Sequence, residues 1–312
     1  MKIAFWDNCL SERGTTVAMY DYAYYNQTLL GNESIIVYNS TRKDTHPDVV
    51  VKFQKDFKVF GVPSFDKLDP ILIEEGVQIL YVIEGGDVVG NVSPVCKTVI
   101  HCVFNCKKPH GSVYAAIAPW VDGNNGKYPH VPHMVNLPNN TDDMRSELNI
   151  PKEAVVFGRH GGYDQFDIHY VHKIVHEIAK SNPNIYFLLV NTRPFCEKLP
   201  NIIHLEPIVN LEKKVAFINT CDAMLWARSG GEIFSCSMGE FAAKNKPIFC
   251  TRAGSLGHLE LLGDSAFWYN ENTLKQMILS FNKEEESKKN WNTYSEYTPE
   301  KVMAIFKKVF ID

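Results

Sequence analysis

Short apolar runs alternate along the chain with longer segments in which apolar residues recur every three to four positions. The short runs have the length and β-branched content of buried strands, and the longer segments have the period of amphipathic helices. This alternation is typical of parallel α/β layers. The predicted strands are Lys2–Trp6, Ser34–Tyr38, a weaker run at Val49–Phe53, Val59–Val62, Ile79–Ile83, Thr98–Phe104, a strand or edge element at Tyr114–Val121, Ala154–Phe157, Ile185–Val190, Ile202–Leu205, Ala223–Trp226, Pro247–Cys250 and Ala266–Tyr269.

The segments with a helical period lie between these strands. A stretch from Gly123 to Asn140 is rich in proline, glycine and asparagine and has no period, as expected of a linker. It predicts a first domain over residues 1–135 and a second over residues 136–296, each large enough for its own core. The predicted helices are Thr15–Leu30, Pro70–Glu75, Thr141–Leu148, Asp167–Ser181, Leu211–Asn219, Glu232–Lys244 and Pro299–Phe310.

Composition narrows the class of protein. The 312 residues are 45% hydrophobic and 22% charged, with a formal net charge of -4, so the chain lacks the basic surface expected of a nucleic-acid-binding protein. No apolar run reaches the roughly 20 residues that a transmembrane helix needs, and the N-terminus turns polar too early for a signal peptide. The eight scattered cysteines are those of a chain with reduced thiols. We therefore expect a cytoplasmic protein.

One segment, residues 227–248, concentrates residues suited to a phosphorylated ligand. A predicted strand ends, a Ser-Gly-Gly turn follows, and a helix begins near Ser235. Ser235, Cys236 and Ser237 form its first turn, where backbone N–H groups and the positive end of the helix dipole favour a phosphate. Glu232 lies just before this turn and Glu240 about two turns along the helix. One carboxylate can thus face the sugar end of a ligand and the other its ribose end.

The same segment resembles the signature of glycosyltransferase family 4 and its GT-B relatives. The matching features are the spacing of the two glutamates, Phe234, the run 240–243 and the strand entry 246–248. Ser235 stands where that family usually has glycine. The resemblance implies a GT-B fold: two Rossmann-like, doubly wound parallel-sheet lobes with a cleft between them. It also implies that the C-terminal helix, residues 297–312, packs back on the first, acceptor-side lobe, while the second lobe binds the nucleotide sugar.

The resemblance assigns roles within this segment. Glu232 would hydrogen-bond the donor sugar, and Glu240 would hold the ribose hydroxyls. The amides of Cys236 and Ser237 would bind the diphosphate, with Ser235 in the same turn. Gly231, from the Ser-Gly-Gly turn, belongs to the same donor-binding set. The alternative is that the two glutamates are ordinary solvated helix charges.

A second match begins the second domain, where Val155–Gly162 is a strand that runs into a glycine turn. Family members carry an arginine here that reaches the donor phosphates, which makes Arg159 the counterpart, unless it is simply a surface residue. The lysine that often follows five or six positions later is absent, because Asp164 and Gln165 stand there. Either Arg159 works with another donor such as His160, or the phosphate clamp is weaker.

The first domain matches the family less specifically. A loop after the first strand carries Gly14, at the place where the family has a glycine-containing loop facing the phosphates; a plain loop with a capped helix is equally compatible. His101, at the end of a predicted strand, matches a histidine that family members place near the donor sugar. A histidine with a purely structural role is the alternative.

The function that follows from the resemblance is retaining transfer of a sugar from a UDP- or GDP-sugar or similar donor to a glycan or other hydroxyl acceptor. No cofactor and no metal is expected, since no Asp-x-Asp pattern ends a strand of the first domain. His169, His172 and His176 share a helix face, but no zinc-protease pattern surrounds them. Two other functions remain open: a non-catalytic nucleotide-sugar-binding or scaffold protein, and a sugar-nucleotide epimerase of the same fold.

Overall fold

A computed structural model describes residues 1–87 and 90–312 of the chain. The strands are β1 (Lys2–Asp7), β2 (Glu33–Asn39), β3 (Lys58–Val62), β4 (Ile79–Glu84), β5 (Lys97–Cys102), β6 (Val113–Ala116), β7 (Val155–Arg159), β8 (Ile185–Val190), β9 (Ile202–Leu205), β10 (Ala223–Leu225), β11 (Gly231–Glu232), β12 (Ile248–Cys250), β13 (Ser255–Leu256) and β14 (Phe267–Trp268). The α-helices are α1 (Gly14–Thr28), α2 (Pro47–Gln54), α3 (Asp69–Glu74), α4 (His169–Ser181), α5 (Leu211–Thr220), α6 (Cys236–Ala243), α7 (Gly257–Leu262), α8 (Leu274–Leu279), α9 (Lys283–Glu286) and α10 (Pro299–Phe306).

The chain divides into two compact units. The first comprises Met1–Met134 together with Tyr297–Asp312, and the second comprises Val135–Glu296. The C-terminal segment thus belongs to the unit that contains the N-terminus.

The first unit is built on a parallel sheet with the strand order β3-β2-β1-β4-β5-β6. Nearly continuous apolar runs form its central strands because both faces of the sheet are covered. β1, for example, buries Ile3, Ala4, Phe5 and Trp6. Strand order reverses between β1 and β4, which is the switch point where ligands of doubly wound sheets bind, at the carboxyl ends of the strands.

The second unit repeats this architecture with the order β9-β8-β7-β10-β12-β14, again parallel. Among residues 1–87 and 90–312, each of the two large sheets has six strands, and a separate two-stranded sheet pairs β11 with β13. Helix α4 covers one face because its apolar residues recur every three to four positions. Its buried residues are Val171, Ile174, Val175, Ile178 and Ala179.

The C-terminal helix α10 closes the core of the first unit. Phe306 is fully buried, and its ring centroid lies 5.3 Å from that of Tyr22 and 5.5 Å from that of Tyr81. A π-helical turn, Lys307–Ile311, follows and buries Phe310. Phe306 and Phe310 of the last helix therefore pack inside the first unit.

Two predicted elements are wrong, and the strand predicted at Tyr114–Val121 is shorter than predicted. Val49–Phe53 is not a strand but part of α2, where the His46 side chain accepts a hydrogen bond from the Asp48 amide and Pro47 occupies the first turn. Thr141–Leu148 is not a helix: the chain forms turns there that end at Asn149, whose φ of +54° is left-handed, and the Arg145 guanidinium binds the carbonyls of Pro151, Lys152 and Ala154. Of Tyr114–Val121, only the first part is a strand, and Pro119–Asp122 is a 3-10 turn.

Candidate functional site

The residues singled out in the second domain gather near the carboxyl ends of its sheet. β7 ends at Arg159, and its neighbour β10 leads through Trp226 into Arg228. β7 and β10 flank the point where strand order reverses in this unit. Ligands of doubly wound sheets bind at this position, so the fold itself marks this edge as the candidate site.

Arg159 is buried, with 4% of the residue exposed. Its Nη1 donates to the Asn191 carbonyl at 2.9 Å and to Thr192 Oγ1 at 2.6 Å, and its Nη2 donates to the Gly162 carbonyl at 2.7 Å. Burial lowers the pKa of Arg159 to about 10, against the attraction of Glu232 and Asp167. Arg159 is therefore not a surface residue, and its guanidinium is hydrogen-bonded to both the loop after β7 and the loop after β8.

Glu232 lies in β11, four residues before α6, so the helix begins later than the predicted Glu232–Lys244. Trp226 Nε1 donates to its Oε1 at 3.2 Å, and Arg228 Nη1 donates to its Oε2 at 3.1 Å. The side chain is 15% exposed. Two donors thus fix the orientation of the carboxylate, which is not a freely solvated helix charge.

Glu240 is the fifth residue of α6, about one turn into the helix and not two, and is 6% exposed. Lys214 Nζ donates to its Oε1 at 2.8 Å, and His160 Nε2 lies 2.9 Å from its Oε2 in an alignment too poor for a hydrogen bond. Burial opposes ionisation of Glu240, but Lys214 and His160 outweigh it and lower its pKa to about 2. The carboxylate is therefore ionised and locally compensated.

The first turn of α6 has the predicted polar residues. Ser235 is the N-cap, and its Oγ accepts a hydrogen bond from the Met238 amide at 3.4 Å. Its φ is +58°, a left-handed conformation that glycine adopts at lower cost, which accounts for the glycine expected there. Cys236 and Ser237 are the first two helical residues, so the positive end of the helix dipole lies at them.

Gly231 has a structural requirement of its own. Its φ is +68°, and a Cβ atom there would lie 2.2 Å from the Ser255 amide nitrogen. A Cβ on Gly254 would lie 2.1 Å from the Gly230 carbonyl carbon, and one on Gly257 would lie 1.9 Å from the Ile233 carbonyl oxygen. Close backbone packing of β11 against the segment around β13 explains Gly231 without a ligand.

Sequence reasoning missed two charged residues of this region, Arg228 and Lys214. Arg228 follows the predicted strand that ends at Trp226, so its position next to the Ser-Gly-Gly turn was the available signal. Lys214 contacts Glu240 from another helix, 26 residues away in sequence, and no local pattern marks it.

Besides Glu232 and Glu240, this region contains a third carboxylate, Asp167. It accepts hydrogen bonds from the amide and the hydroxyl of Ser229, both at 2.7 Å.

In the first unit, Gly14 is the first residue of α1 and is exposed. The loop before it is held by side chains: Thr16 Oγ1 donates to Asp7 Oδ2 at 2.7 Å, and Arg13 Nε donates to Ser11 Oγ at 3.0 Å. Apart from its chain neighbours and the backbone of α1 itself, no atom of the described residues lies within 4 Å of a Cβ built on Gly14. Gly14 therefore leaves open space at the carboxyl end of β1.

His101 lies inside the core of the first unit and is fully buried. Its Nε2 lies 2.9 Å from the Val131 carbonyl and must be the protonated nitrogen, so Nδ1 accepts the hydrogen bond from the Tyr81 hydroxyl at 2.6 Å. Burial lowers the pKa of His101 to about 3. With both ring nitrogens engaged inside the unit, the geometry favours the structural role over contact with a donor sugar.

The histidines of α4 have separate partners. His172 Nε2 lies 2.6 Å from the Phe166 carbonyl, and His176 Nε2 lies 3.1 Å from Glu197 Oε1. Within residues 1–87 and 90–312, no three histidine, cysteine, aspartate or glutamate side chains are grouped as a metal site requires. The eight cysteines are all free thiols. The same described ranges contain no helix that is both long and apolar enough to cross a membrane.

Comparison with solved structures identifies the fold. HepE of Anabaena in complex with UDP and glucose has a TM-score of 0.65 at 13% sequence identity, covering 99% of this chain and 98% of its own. A glycosyltransferase from Rickettsia africae has a TM-score of 0.67 at 13% identity, with coverage of 100% and 99%. A putative UDP-N-acetylglucosamine 2-epimerase from Listeria monocytogenes has 0.61 at 12% identity, with coverage of 100% and 96%.

No protein-family model matches the chain, and no curated protein matches its sequence. Because the two parallel six-stranded sheets of the described residues match these structures over nearly the whole chain, the protein has the GT-B fold. At 12–13% identity, the likeness shows the fold alone.

Proposed function

We propose that this protein is a glycosyltransferase that takes its sugar from a nucleoside diphosphate donor. The second unit binds the donor, and the first unit binds the acceptor, a glycan or another hydroxyl compound. Transfer retains the anomeric configuration and requires no metal. The donor is a UDP- or GDP-sugar or a similar nucleotide sugar.

The observation that carries the proposal is the set of groups at the carboxyl edge of the second sheet. An oriented carboxylate, Glu232, lies with Arg159 and Arg228 near the switch point. The helix that follows in sequence begins at Cys236 and carries a second ionised carboxylate, Glu240. Guanidinium groups and a helix N-terminus suit a diphosphate, and paired carboxylates suit sugar and ribose hydroxyls.

The fold supports the same conclusion by analogy. HepE binds UDP and glucose in its solved structure, and the Rickettsia protein is a glycosyltransferase. A shared fold hosts several functions, so the residues at the switch point, and not the fold, decide the assignment.

In the proposed reaction, the bond between the anomeric carbon and the diphosphate oxygen breaks as the acceptor oxygen bonds to that carbon from the same face. The acceptor proton passes to an oxygen of the departing diphosphate. The protein's contribution is to stabilise the negative charge that grows on the diphosphate. Positive groups at the switch point and the N-terminus of α6 supply that stabilisation, while Glu232 orients the sugar hydroxyls.

The test is turnover with a panel of UDP- and GDP-sugars and mixed sugar acceptors, followed by NMR of the product's anomeric proton. We expect release of nucleoside diphosphate only when an acceptor is present, with the donor configuration kept in the product. Glu232→Gln should lower kcat by about 100-fold, because it weakens a contact to the reacting sugar. Inversion of configuration would refute the retaining mechanism while leaving glycosyl transfer in place.

A second candidate function is epimerisation of a sugar nucleotide, favoured by the likeness to the Listeria protein. An epimerase converts its donor with no acceptor present, so the same panel without acceptors separates the two activities. A protein that binds nucleotide sugars but converts none of them, with or without acceptor, is instead a binder. Two features favour such a non-catalytic binder: the family's lysine after Arg159 is absent, and the Arg159 guanidinium is hydrogen-bonded to loop carbonyls.

A further inference from the structure

Arg228 is the partly accessible arginine beside the switch point. Its side chain is 30% exposed, and its Nη1 donates to Glu232 Oε2 at 3.1 Å. Among the residues that the structure describes, Glu232 is the hydrogen-bond partner of this guanidinium. A guanidinium carries five N–H donors in a fixed fork, so Arg228 has donors left for a ligand.

The surroundings of Arg228 leave room for that ligand. Gly230 is exposed, and a Cβ atom there would have, apart from its two chain neighbours, Arg228 Nε as its one neighbour within 4 Å in the described chain, at 3.7 Å. The same turn leads through Glu232 to the N-terminus of α6. The Arg228 guanidinium therefore lies beside the chain segment that leads into the N-terminus of α6.

Arg159, by contrast, uses its guanidinium for hydrogen bonds to neighbouring loops. Its guanidinium binds the carbonyls of Asn191 and Gly162 and the hydroxyl of Thr192, and the residue is 4% exposed. Arg228 is close enough for its charge to act on Arg159. Two cations thus lie near each other, and the more exposed one retains unused donors.

We propose that Arg228 contacts the diphosphate of the donor and replaces the lysine that is missing after Arg159. This inference rests on the proposed function. A guanidinium binds phosphate oxygens through two parallel N–H···O bonds and stays charged at any working pH. Because the same side chain holds Glu232, Arg228 also fixes the position of the diphosphate relative to the carboxylate that contacts the sugar.

The experiment measures the dissociation constants of a nucleoside, its monophosphate and its diphosphate by calorimetry. Uridine, UMP and UDP form one series, and guanosine, GMP and GDP form the other. The variants are Arg228→Gln and Arg228→Lys, with Arg193→Gln as the control. Arg193 is an exposed arginine of the same unit, in the loop after β8, paired with Asp164. Unliganded melting temperatures establish that each variant is folded.

In the series that the wild type binds, Arg228→Gln should weaken diphosphate binding about 10- to 100-fold and leave nucleoside binding unchanged. Arg228→Lys should recover part of the loss, because it restores the charge but not the fork. Arg193→Gln should match the wild type. If the wild type binds neither UDP nor GDP, nor ADP, CDP or dTDP, the proposed function fails; if it binds one of them and Arg228→Gln binds it equally well, only the role of Arg228 is overturned.

A double-mutant cycle separates direct contact from an effect through Glu232. Arg228→Gln is introduced both alone and in the Glu232→Gln background, and the loss of diphosphate affinity is compared. An equal loss in both backgrounds supports direct contact with the diphosphate. A loss that disappears in the Glu232→Gln background would show that Arg228 acts only by holding Glu232, and this would overturn the inference.

Discussion

At the scale of single residues, the second unit keeps an ionised carboxylate almost completely inside the protein. Glu240 contacts Lys214 at 2.8 Å, and the neighbouring His160 has its pKa lowered chiefly by burial. Of these two neighbours, Lys214 lowers the pKa of Glu240 more, so its positive charge is the main compensation for this buried carboxylate. Removing one member of a buried ion pair costs more than the pair itself contributes, because the other charge remains buried.

Lys214→Met should accordingly lower the free energy of unfolding by about 3 kcal/mol. Its neighbour Lys213 is exposed on the same helix, so Lys213→Met should change this free energy by less than about 0.5 kcal/mol. Urea denaturation of both variants at pH 7 measures the difference. Equal stabilities would mean that Glu240 does not depend on Lys214.

The sequence identified the residues of this site that belong to one continuous motif. Glu232, Ser235 and Glu240 lie within nine positions of each other, so their spacing alone predicts a shared turn and helix. Lys214 comes from α5, and its contact with Glu240 depends on how two helices pack. Neither periodicity nor composition encodes that packing. The hydrogen bonds from Arg159 to loop carbonyls could not be predicted for the same reason.

At the scale of elements, β11 and β13 form a two-stranded sheet that depends on glycine. Gly231 has a positive φ and faces the Ser255 backbone so closely that no side chain fits. Gly230, its neighbour, is exposed, and a Cβ there would be 3.7 Å from the nearest atom outside its two chain neighbours. The two glycines of the turn therefore have different structural requirements.

Gly231→Ala should destabilise the protein by at least about 2 kcal/mol, because it combines left-handed strain with a backbone clash. Gly230→Ala is the matched control and should change stability by less than about 0.5 kcal/mol. Thermal unfolding of the two variants tests this. A Gly231→Ala protein as stable as the wild type would show that the β11–β13 pairing can shift without cost.

Elements with strong periodicity were predictable, and two short ones were not. β8 and β9 have the same first and last residues as the predicted strands, because each is an apolar run bounded by polar or turn residues. Val49–Phe53 has three consecutive valines, which favour a strand. Pro47 in the first turn and the capping side chain of His46 favour a helix instead. Val49 and Phe53 are the buried residues of this helix and lie one turn apart.

At the scale of the whole molecule, the stability of the first unit depends on histidines that stay neutral. Burial lowers the pKa of both His101 and His133 to about 3. His133 Nδ1 lies 3.1 Å from the Tyr22 hydroxyl, and the ring centroids of His101 and Phe310 lie 5.3 Å apart. These histidines therefore pack between the N-terminal sheet and the returning C-terminus.

Global stability should fall as the pH drops below 6.5, the ordinary histidine pKa. Below this pH the two histidines are protonated in the unfolded chain, whereas in the folded chain they stay neutral down to about pH 3. Each lowered pKa therefore lowers the free energy of unfolding as the pH falls through this range. The two histidines together should cost about 2 kcal/mol between pH 7 and pH 5.5. Urea denaturation at both pH values measures it.

His133→Gln should reduce this pH dependence, and the exposed His169→Gln should leave it unchanged. Glu240 loses its contribution only as the pH falls from about 4.5 toward about 2, so it does not interfere at pH 5.5. Equal unfolding free energies at pH 7 and pH 5.5 in the wild type would contradict the buried, neutral state of these histidines.

A thermal-shift panel of UDP, GDP, ADP, CDP and dTDP on the wild-type protein, with Mg²⁺ and with EDTA, tests directly whether the protein has a nucleotide-sugar site. A ligand that binds the folded state raises the unfolding midpoint by mass action. We predict that one nucleoside diphosphate raises the midpoint by the same amount in both conditions. No shift with any diphosphate in either condition would contradict a nucleotide-sugar site in this protein.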